Sequence, residues 1–372
     1  MSEKDTNDRL RKANPWKQKI DIRPDNPGRD ITNNLPAMEI DPAALDAFSE
    51  IDPVPELPGA MADKFALVTK LEIPKWSKRG KSINYGFGAA KHLLRMNLWQ
   101  PVFETKVAPR RKTDLGKLKQ EIKDYAKSVG YGLAGFTKID RRFIADGRDD
   151  KFPFDTALVL GMEMDFELLE EAPHPGKRLF DFEIYIESSK RIFEVARFIR
   201  SKGHRCYARV PLDGWVKFPP HAIMAGLGEL GAQGVVITRE YGPRQRWTMI
   251  SIEADIEPDE PVDLGMAKYC DDCLLCVRAC PGKSISRERI WWRGVKKRKN
   301  NDTRCYPYFE KYDGCGICLK VCPINRHGYD ACMEAYWRDG TILKKRDPVL
   351  PVSLREAGRS GKTSPPGNRS RP

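Results

Sequence analysis

The sequence predicts an α/β (α+β) protein in which a core of helices and strands precedes a cysteine-rich module. Amphipathic helical segments alternate with short apolar segments between residues 113 and 252, a pattern typical of helices packed on a sheet. Nine of the ten cysteines then lie between residues 270 and 332. A chain of 372 residues that is 40% hydrophobic is long enough to bury a sizeable core beside a smaller unit.

Composition divides the chain into four expected parts. The beginning is rich in Pro, Asp and Asn without apolar periodicity, and the end is rich in Pro, Ser, Gly and Arg, so neither is expected to build a core. The parts are an extended or partly disordered segment (1–60), an α/β domain (61–262), the cysteine module (263–335), and a C-terminal extension that is mostly disordered tail (336–372).

Within the core, apolar periodicity predicts each element in turn. A helix over 113–129 has Leu118 and Ile122 on one apolar face, and a helix over 188–201 repeats that pattern. The remaining predicted elements are strands over 134–139, 156–164, 234–238 and 248–252, and a helix that begins within 220–228.

The chain carries a net charge of +13. A basic protein can bind nucleic acid, a membrane surface or an acidic protein. No apolar run reaches the roughly 18–20 residues of a membrane span, and residues 1–34 lack the apolar stretch of a secretory signal. We therefore expect a cytoplasmic protein without stable membrane association.

The clustered cysteines follow the spacing of bacterial ferredoxins. The first run is Cys270-x2-Cys273-x2-Cys276-x3-Cys280-Pro281, and the second is Cys315-x2-Cys318-x3-Cys322-Pro323 with Cys305 ten residues upstream. In this pattern the fourth cysteine of a run ligates the other cluster. The spacing therefore predicts two [4Fe–4S] clusters. We call their ligands set A (Cys270, Cys273, Cys276 and Cys322) and set B (Cys280, Cys305, Cys315 and Cys318).

Zinc and disulfides are the rival interpretations of these cysteines. Zinc sites show separated C-x2-C pairs rather than a three-spaced run ending in Cys-Pro, and disulfides are unexpected without a secretory signal. Cys305 is the least diagnostic ligand, since its spacing to Cys315 is not characteristic. The two leftover cysteines, Cys206 and Cys332, are expected to be buried thiols.

A basic insert over 287–304 separates the two runs and contains Trp291-Trp292. It is either a docking patch for an acidic electron donor or nucleic acid, or a solvated loop whose tryptophans cover the cysteine module. The sequence leaves both possibilities open.

A glycine-rich stretch over 220–246 precedes the cysteines and reads PHAIMAGLGELGAQGVVITREYGPRQR. Its glycines, Gly226, Gly228, Gly231 and Gly234, suit the close approach of a bulky ligand to the backbone. The spacing is not G-x-G-x-x-G after a strand, so a dinucleotide site is disfavoured.

This stretch resembles the signature of the catalytic subunits of corrinoid-dependent reductive dehalogenases. AGLGELG and EYGPR-x-R lie within 225–246, and CGICLKVCP over 315–323 and FIRS over 198–201 agree. The resemblance covers roughly residues 115–326. It implies a nitroreductase-like core that binds base-off cobalamin, with one cluster beside the corrin. The more distant epoxyqueuosine reductases share that core and the clusters but lack the AGLGELG and EYGPR motifs.

The resemblance also implies the site residues. A tyrosine thirteen residues before Phe198 corresponds to Tyr185, and the basic residue that ends EYGPR-x-R corresponds to Arg246. A phenol becomes a usable acid where a cation stabilises its phenolate, although periodicity alone would place Tyr185 in a core stripe. The expected cofactor contacts are Gly226, Leu227, Gly228, Gly231, Gly234, Tyr241 and His221.

The function that the resemblance implies is reductive removal of halogen from a small organohalide. The sequence has no Asp-x-His-x-x-Gly motif that would supply a histidine to cobalt, which agrees with base-off binding. An acidic ferredoxin- or flavodoxin-type donor is expected to supply electrons, and nucleic acid is the less favoured partner. Two alternatives stay open: reduction of another substrate, such as an epoxyqueuosine-type epoxide, and a non-catalytic iron–sulfur electron carrier.

Overall fold

The computed structural model describes residues 39–40, 107–109, 114–144, 152–173, 177–210, 216–292, 295–301, 304–305, 308–309, 312 and 314–344. Most of the expected N-terminal segment and the tail after residue 344 lie outside these ranges. The stretch 211–215 also lies outside them.

Helices in the described residues come in two groups, one in the core and one in the cysteine module. The core helices are α1 (Leu115–Ser128), α2 (Phe166–Glu170), α3 (Lys177–Ser201) and α4 (Phe218–Met224). The module helices are α5 (Met266–Cys273), α6 (Leu275–Ala279), α7 (Ile317–Lys320), α8 (Pro323–His327) and α9 (Tyr329–Asp339).

Strands in the described residues form three sheets. The strands are β1 (Glu39–Ile40), β2 (Leu133–Lys138), β3 (Thr156–Glu163), β4 (Cys206–Arg209), β5 (Glu229–Leu230), β6 (Val236–Ile237), β7 (Gln245–Ile252), β8 (Ile290–Trp292) and β9 (Val295–Lys297). The central sheet has the order β2-β3-β7-β4, and every pairing in it is antiparallel. The fold is therefore a mixed helix–sheet architecture of the α+β kind.

Helices cover both faces of the central sheet because its strands are apolar on both sides. Helices α1 and α3 bury Ile122 and Ile192 against one face, together with Leu158 and Ile250 of the sheet. Helix α4 covers the other face and buries Ile223 there. Successive residues of a strand point to opposite faces, so β7 contributes side chains to the hydrophobic core on each face of the sheet.

The cysteine module is fastened to the core by polar contacts. The buried carboxylate of Glu229 accepts hydrogen bonds from the amides of Leu264 (2.9 Å) and Met266 (2.8 Å), at the start of α5. Arg326 pairs with Glu170 at 3.0 Å. These contacts fix α5, which carries the first cysteines, against the glycine-rich stretch.

Several predicted elements differ from the observed ones. Helix α3 begins at Lys177 rather than Ser188, because its first half mixes charged and aromatic residues without a clear helical period. Helix α4 ends at Met224, before Gly226, whose φ of 70° is left-handed. The predicted strand 234–238 is only Val236–Ile237, and β4 was not predicted.

Candidate functional site

The four thiols of set A lie together. Burial raises the pKa of the Cys322 thiol, and all three thiols at the start of the first run raise it further. All four residues are buried, with 6–8% of each exposed. Leu274 ends α5 in a left-handed conformation (φ 50°), which turns the chain between Cys273 and Cys276. The structure thus brings the distant Cys322 to the first run, as the crossover pattern predicts.

The four thiols of set B also lie together. Burial and the proximity of the other three thiols of the set together raise the pKa of the Cys318 thiol to about 12. Cys305, whose spacing was least diagnostic, is one of these neighbours. Gly316 is left-handed (φ 66°) between Cys315 and Cys318, so it repeats the turn that Leu274 makes in the first run.

Hydrogen-bond donors surround Cys280, which belongs to set B. Its sulfur lies 3.0 Å from the Ser284 hydroxyl and accepts the Ser284 amide at 3.3 Å. Burial raises the pKa of this thiol, but these donors and the amides of Gly282 and Ile285 outweigh it, so the pKa lies below the ordinary value. Such a setting favours a thiolate, the form that binds metal.

The two leftover cysteines are confirmed as buried thiols. Cys206 and Cys332 are both fully buried. The Cys206 thiol donates to the carbonyl of Ala196 at 3.4 Å.

The glycine-rich stretch contacts set A directly. The amide of Ala232 donates to the Cys270 sulfur, opposing the burial that raises the pKa of that thiol to about 11. The Sγ atom of Cys276 lies 3.8 Å from Oε1 of Gln233. Sequence reasoning did not single out Gln233, since a glutamine between two glycines carries no spacing signal.

Three of the four predicted ligand-facing glycines have protein atoms where a side chain would be: Gly231 meets side chains, and Gly226 and Gly228 meet backbone. A Cβ atom on Gly226 would lie 2.2 Å from the carbonyl oxygen of Glu260, and one on Gly228 would lie 2.3 Å from that of Ile237. Their lack of a side chain is therefore required for backbone packing within the chain. At Gly234 (φ 82°) no atom lies within 4 Å of a built Cβ, so this glycine faces open space.

Two other expected cofactor contacts, His221 and Tyr241, are buried in the protein, and a third, Leu227, is half-buried. His221 is fully buried, its Nδ1 lies 2.8 Å from the Lys217 carbonyl, and its Nε2 accepts the Asp140 amide at 3.2 Å. Burial lowers its pKa, so the ring is a neutral structural group. Tyr241 is buried and Leu227 packs against the core. We do not propose His221 as a cofactor contact.

Tyr185 and Arg246 are brought into contact by the fold. Tyr185 lies in α3 and Arg246 at the start of β7, where it is paired with Met162 of β3. The guanidinium carbon lies 5.3 Å from the centroid of the tyrosine ring, which is a cation–π arrangement. Both residues are half-buried, so the phenol is within reach of a ligand and beside a permanent cation.

Buried hydroxyls hold the turn of α3 that follows Tyr185. The Thr248 hydroxyl donates to the Tyr131 hydroxyl at 3.2 Å, and the latter donates to the Ser188 carbonyl at 2.7 Å. Burial raises the pKa of Tyr131, so its hydroxyl stays protonated and can donate. Sequence reasoning missed this anchor because its members are far apart in the chain.

The basic insert is partly neutralised. Arg289 and Arg298 both form ion pairs with Asp271. They line a cavity of about 410 Å³, part of it open solvent, together with Gly231 and Cys270 of set A. The side chains of Trp291 and Trp292 lie outside the described residues.

The fold is shared with known reductive dehalogenases. A reductive dehalogenase whose structure is described as suggesting a mechanism for B12-dependent dehalogenation matches with a TM-score of 0.55 at 23% identity, over 60% of this chain and 34% of that one. The catabolic reductive dehalogenase NpRdhA matches with a TM-score of 0.57 at 22% identity, over 67% and 39%. At this identity the likeness concerns the fold.

Sequence comparison identifies relatives among named enzymes. The chain is 25% identical over 310 residues to tetrachloroethene reductive dehalogenase of Sulfurospirillum multivorans, covering 69% of this chain and 61% of that protein. It is 28% identical over 216 residues to the Dehalobacter restrictus enzyme of the same name, covering 54% and 37%. It is also 28% identical over 289 residues to epoxyqueuosine reductase of Staphylococcus aureus, covering 65% and 74%.

These matches confirm the resemblance to reductive dehalogenases that the motifs predict, and the named relatives are all oxidoreductases. The chain spans less than two thirds of the tetrachloroethene reductive dehalogenases. No family model matches the chain. Among the described helices, none is both long and apolar enough to cross a membrane.

Proposed function

We propose that this protein is a corrinoid- and iron–sulfur-dependent reductase that removes a halogen from a small organic substrate. The contact between Tyr185 and Arg246 is the observation that carries the proposal. The two residues are distant in the chain, yet the fold pairs a proton-bearing phenol with a fixed cation in a half-buried position. Such a pair suits protonation of a developing carbanion.

The thiols fit two iron–sulfur clusters. Set A and set B each gather four cysteines, and the neighbouring thiols raise the pKa of Cys322 in set A and of Cys318 in set B. Such crowding of thiolates is unfavourable unless a positively charged group binds between them. We therefore propose set A and set B as the ligands of two [4Fe–4S] clusters, held in a ferredoxin-like module over 263–335. The core over 61–262 would be the nitroreductase-like cobalamin domain.

The fit to a corrinoid rests on fewer residues than the motif implies. Gly234 faces open space, and Tyr185 and Arg246 are half-buried, so these three can contact a bound corrinoid. Gly226 and Gly228 instead contact protein backbone. When bound, the corrinoid supplies a low-potential metal centre suited to breaking a carbon–halogen bond.

The reaction consumes two electrons and one proton, and converts R–X to R–H and halide. Within this chain, Tyr185 would donate the proton from its hydroxyl oxygen. Arg246 would stabilise the phenolate that remains, and an arginine keeps its charge where a lysine can lose it. The Tyr131 anchor would hold the phenol in position, since it fixes the next turn of α3.

The experiment is anaerobic reconstitution with iron, sulfide and cobalamin, followed by halide release from a panel of haloaromatics with titanium(III) citrate as reductant. Tyr185→Phe should bind cobalamin and lose halide release. Tyr125→Phe is the matched control, because Tyr125 stacks on Phe198 at 4.3 Å between α1 and α3 and should retain activity. Wild-type rates in Tyr185→Phe would show that the acid is another group.

A second candidate function is the reduction of an epoxyqueuosine-type epoxide. The observation that favours it is the match to the Staphylococcus aureus enzyme, which covers 74% of that protein. Incubating the reconstituted protein with tRNA that bears epoxyqueuosine, and detecting queuosine by mass spectrometry, distinguishes the two. Epoxide reduction without halide release would favour this second function.

A further inference from the structure

Three exposed cations form a row on the cysteine module. Arg304 Nη1 donates to the Lys283 carbonyl at 3.3 Å, and Lys283 Nζ donates to the Arg278 carbonyl at 2.9 Å. Arg278 Nη2 in turn donates to the carbonyl of Cys273, a set A residue, at 2.6 Å. We call Arg278, Lys283 and Arg304 the cationic row. Because each side chain is held by a backbone carbonyl, the three charges keep fixed positions.

The cationic row is not neutralised. None of its members has a carboxylate partner among the described residues, whereas Arg289 and Arg298 nearby share Asp271. Carbonyl oxygens leave a cation its full charge. The row therefore presents three exposed positive charges that have no carboxylate partner among the described residues, unlike Arg289 and Arg298.

The row adjoins the more open of the two thiol sets. The Lys283 amide donates to the Cys280 carbonyl at 3.1 Å, and Arg304 directly precedes Cys305. Three members of set B are half-buried, whereas all of set A is buried. Helix α6, which carries Cys276, packs against helix α7, which carries Cys318, so the two sets adjoin.

We propose that an acidic one-electron carrier protein docks on the cationic row and delivers electrons through set B to set A. The proposal rests on the proposed function, since it names the electron donor of that reductase. Each encounter oxidises the carrier by one electron and reduces a cluster by one, so two encounters supply one turnover. Opposite charge on the two surfaces would steer their association.

The test measures cluster reduction by stopped-flow absorbance with a reduced acidic [2Fe–2S] ferredoxin. The variant carries Arg278→Gln, Lys283→Gln and Arg304→Gln, and the control carries Lys117→Gln and Lys127→Gln, both exposed positions on α1. At about 10 mM salt the row variant should react at least tenfold more slowly than wild type. The difference should vanish at about 0.5 M salt, where charges beyond a few ångströms are screened.

Further measurements on the same variants distinguish docking of an electron carrier from nucleic-acid binding and from a failure of the proposed function. Titanium(III) citrate should reduce wild type and the row variant equally, and halide release with it tests the proposed function independently of docking. Equal ferredoxin rates in all variants would overturn the docking proposal. Loss of tRNA binding in the row variant, with ferredoxin rates unchanged, would reassign the row to nucleic acid. The docking proposal would also be overturned if either thiol set failed to bind iron.

A different observation concerns Gln233, which touches set A from the core. The side chain is 5% exposed, and its Nε2 is buried with no hydrogen-bond partner among the described residues. Its Oε1 lies 3.8 Å from Cys276 Sγ. Buried amide groups are almost always satisfied, so this one points to a partner that binds there.

We infer that Gln233 is a positioning residue whose amide hydrogen bonds to the cluster held by set A. A thiol can donate to Oε1, but a ligating thiolate can only accept. The amide therefore turns so that Nε2 donates to the Cys276 sulfur or to an adjacent cluster sulfide. Hydrogen bonds to these sulfurs tune the reduction potential of a cluster. A bond donated by Gln233 stabilises the reduced cluster, which is the more negative state, and therefore raises its reduction potential.

The test is a redox titration of both clusters by EPR, using Gln233→Leu and the isosteric Gln233→Glu. In both variants the ratio of reduced to oxidised cluster should fall about tenfold for one cluster at a fixed potential. This change corresponds to a midpoint potential lower by 59 mV for a one-electron couple. The control is Gln245→Leu, which loses a buried bond from Gln245 to the Val236 carbonyl (2.6 Å) away from the thiols. Unshifted potentials at full iron content would overturn the inference.

Discussion

Substitution of Arg246 tests whether its positive charge assists proton donation from Tyr185. Its guanidinium carbon lies 5.3 Å from the Tyr185 ring centroid. At that separation and an effective dielectric constant near 20, opposite unit charges attract by about 3 kcal/mol. If proton donation leaves a phenolate, Arg246→Gln forfeits up to that free energy. A loss of 1.36 kcal/mol is tenfold in rate, so halide release should fall by up to about 100-fold.

The assay is halide release under single-turnover conditions with titanium(III) citrate, so that electron delivery does not limit the rate. Arg246→Lys keeps a charge and should fall within about tenfold of wild type. Arg205→Gln is the control, because Arg205 lies 5.4 Å from the Phe154 ring in a similar geometry but is paired with Glu253 rather than with Tyr185. If Arg246→Gln retained the wild-type rate with cobalamin bound, the charge would have no part in the proton transfer.

Three further predictions concern stability. Burial raises the pKa of Asp259, but Lys119, Lys123 and the Phe136 amide outweigh it and hold the pKa below its usual value. Asp259→Asn should therefore lower the free energy of unfolding by about 1–3 kcal/mol at pH 7. Urea unfolding at a series of pH values should show that the difference between the variant and wild type disappears as the pH falls below about 4. Glu229→Ala leaves the amides of Leu264 and Met266 without their acceptor and should lower the free energy of unfolding in urea by about 2–6 kcal/mol. Glu229→Gln keeps a carbonyl acceptor and should lower it far less. Gly132→Ala would place a Cβ 1.8 Å from the Tyr241 hydroxyl and should lower thermal stability by about 1–3 kcal/mol, with partial rescue by Tyr241→Phe.

The cysteine sets were predictable because their geometry is local. Two intervening residues and a left-handed turn bring Cys273 and Cys276 together, and the same device at Gly316 serves Cys315 and Cys318. The crossover of Cys322 to the first run followed from the ferredoxin pattern. Helix α1 was equally readable, since Asp114 caps it and its apolar face is regular.

Contacts between distant residues were less accessible to sequence reasoning. The glycines at 226 and 228 were assigned to a ligand, but they accommodate the carbonyls of Glu260 and Ile237, which no local spacing reveals. His221 and Tyr241 were expected at a cofactor, and the structure shows that both are buried in the protein. Periodicity would have left Tyr185 in the core, and only the resemblance to reductive dehalogenases predicted its partner Arg246.

If two sets of four thiols serve a corrinoid site within this one chain, anaerobic reconstitution with iron, sulfide and cobalamin should load both kinds of metal. Metal analysis and EPR should then give about eight iron atoms and one cobalt atom per chain, with signals from two reduced [4Fe–4S] clusters and base-off cobalt(II). Stoichiometric zinc in place of iron, or full iron with no bound cobalt, would contradict this assignment.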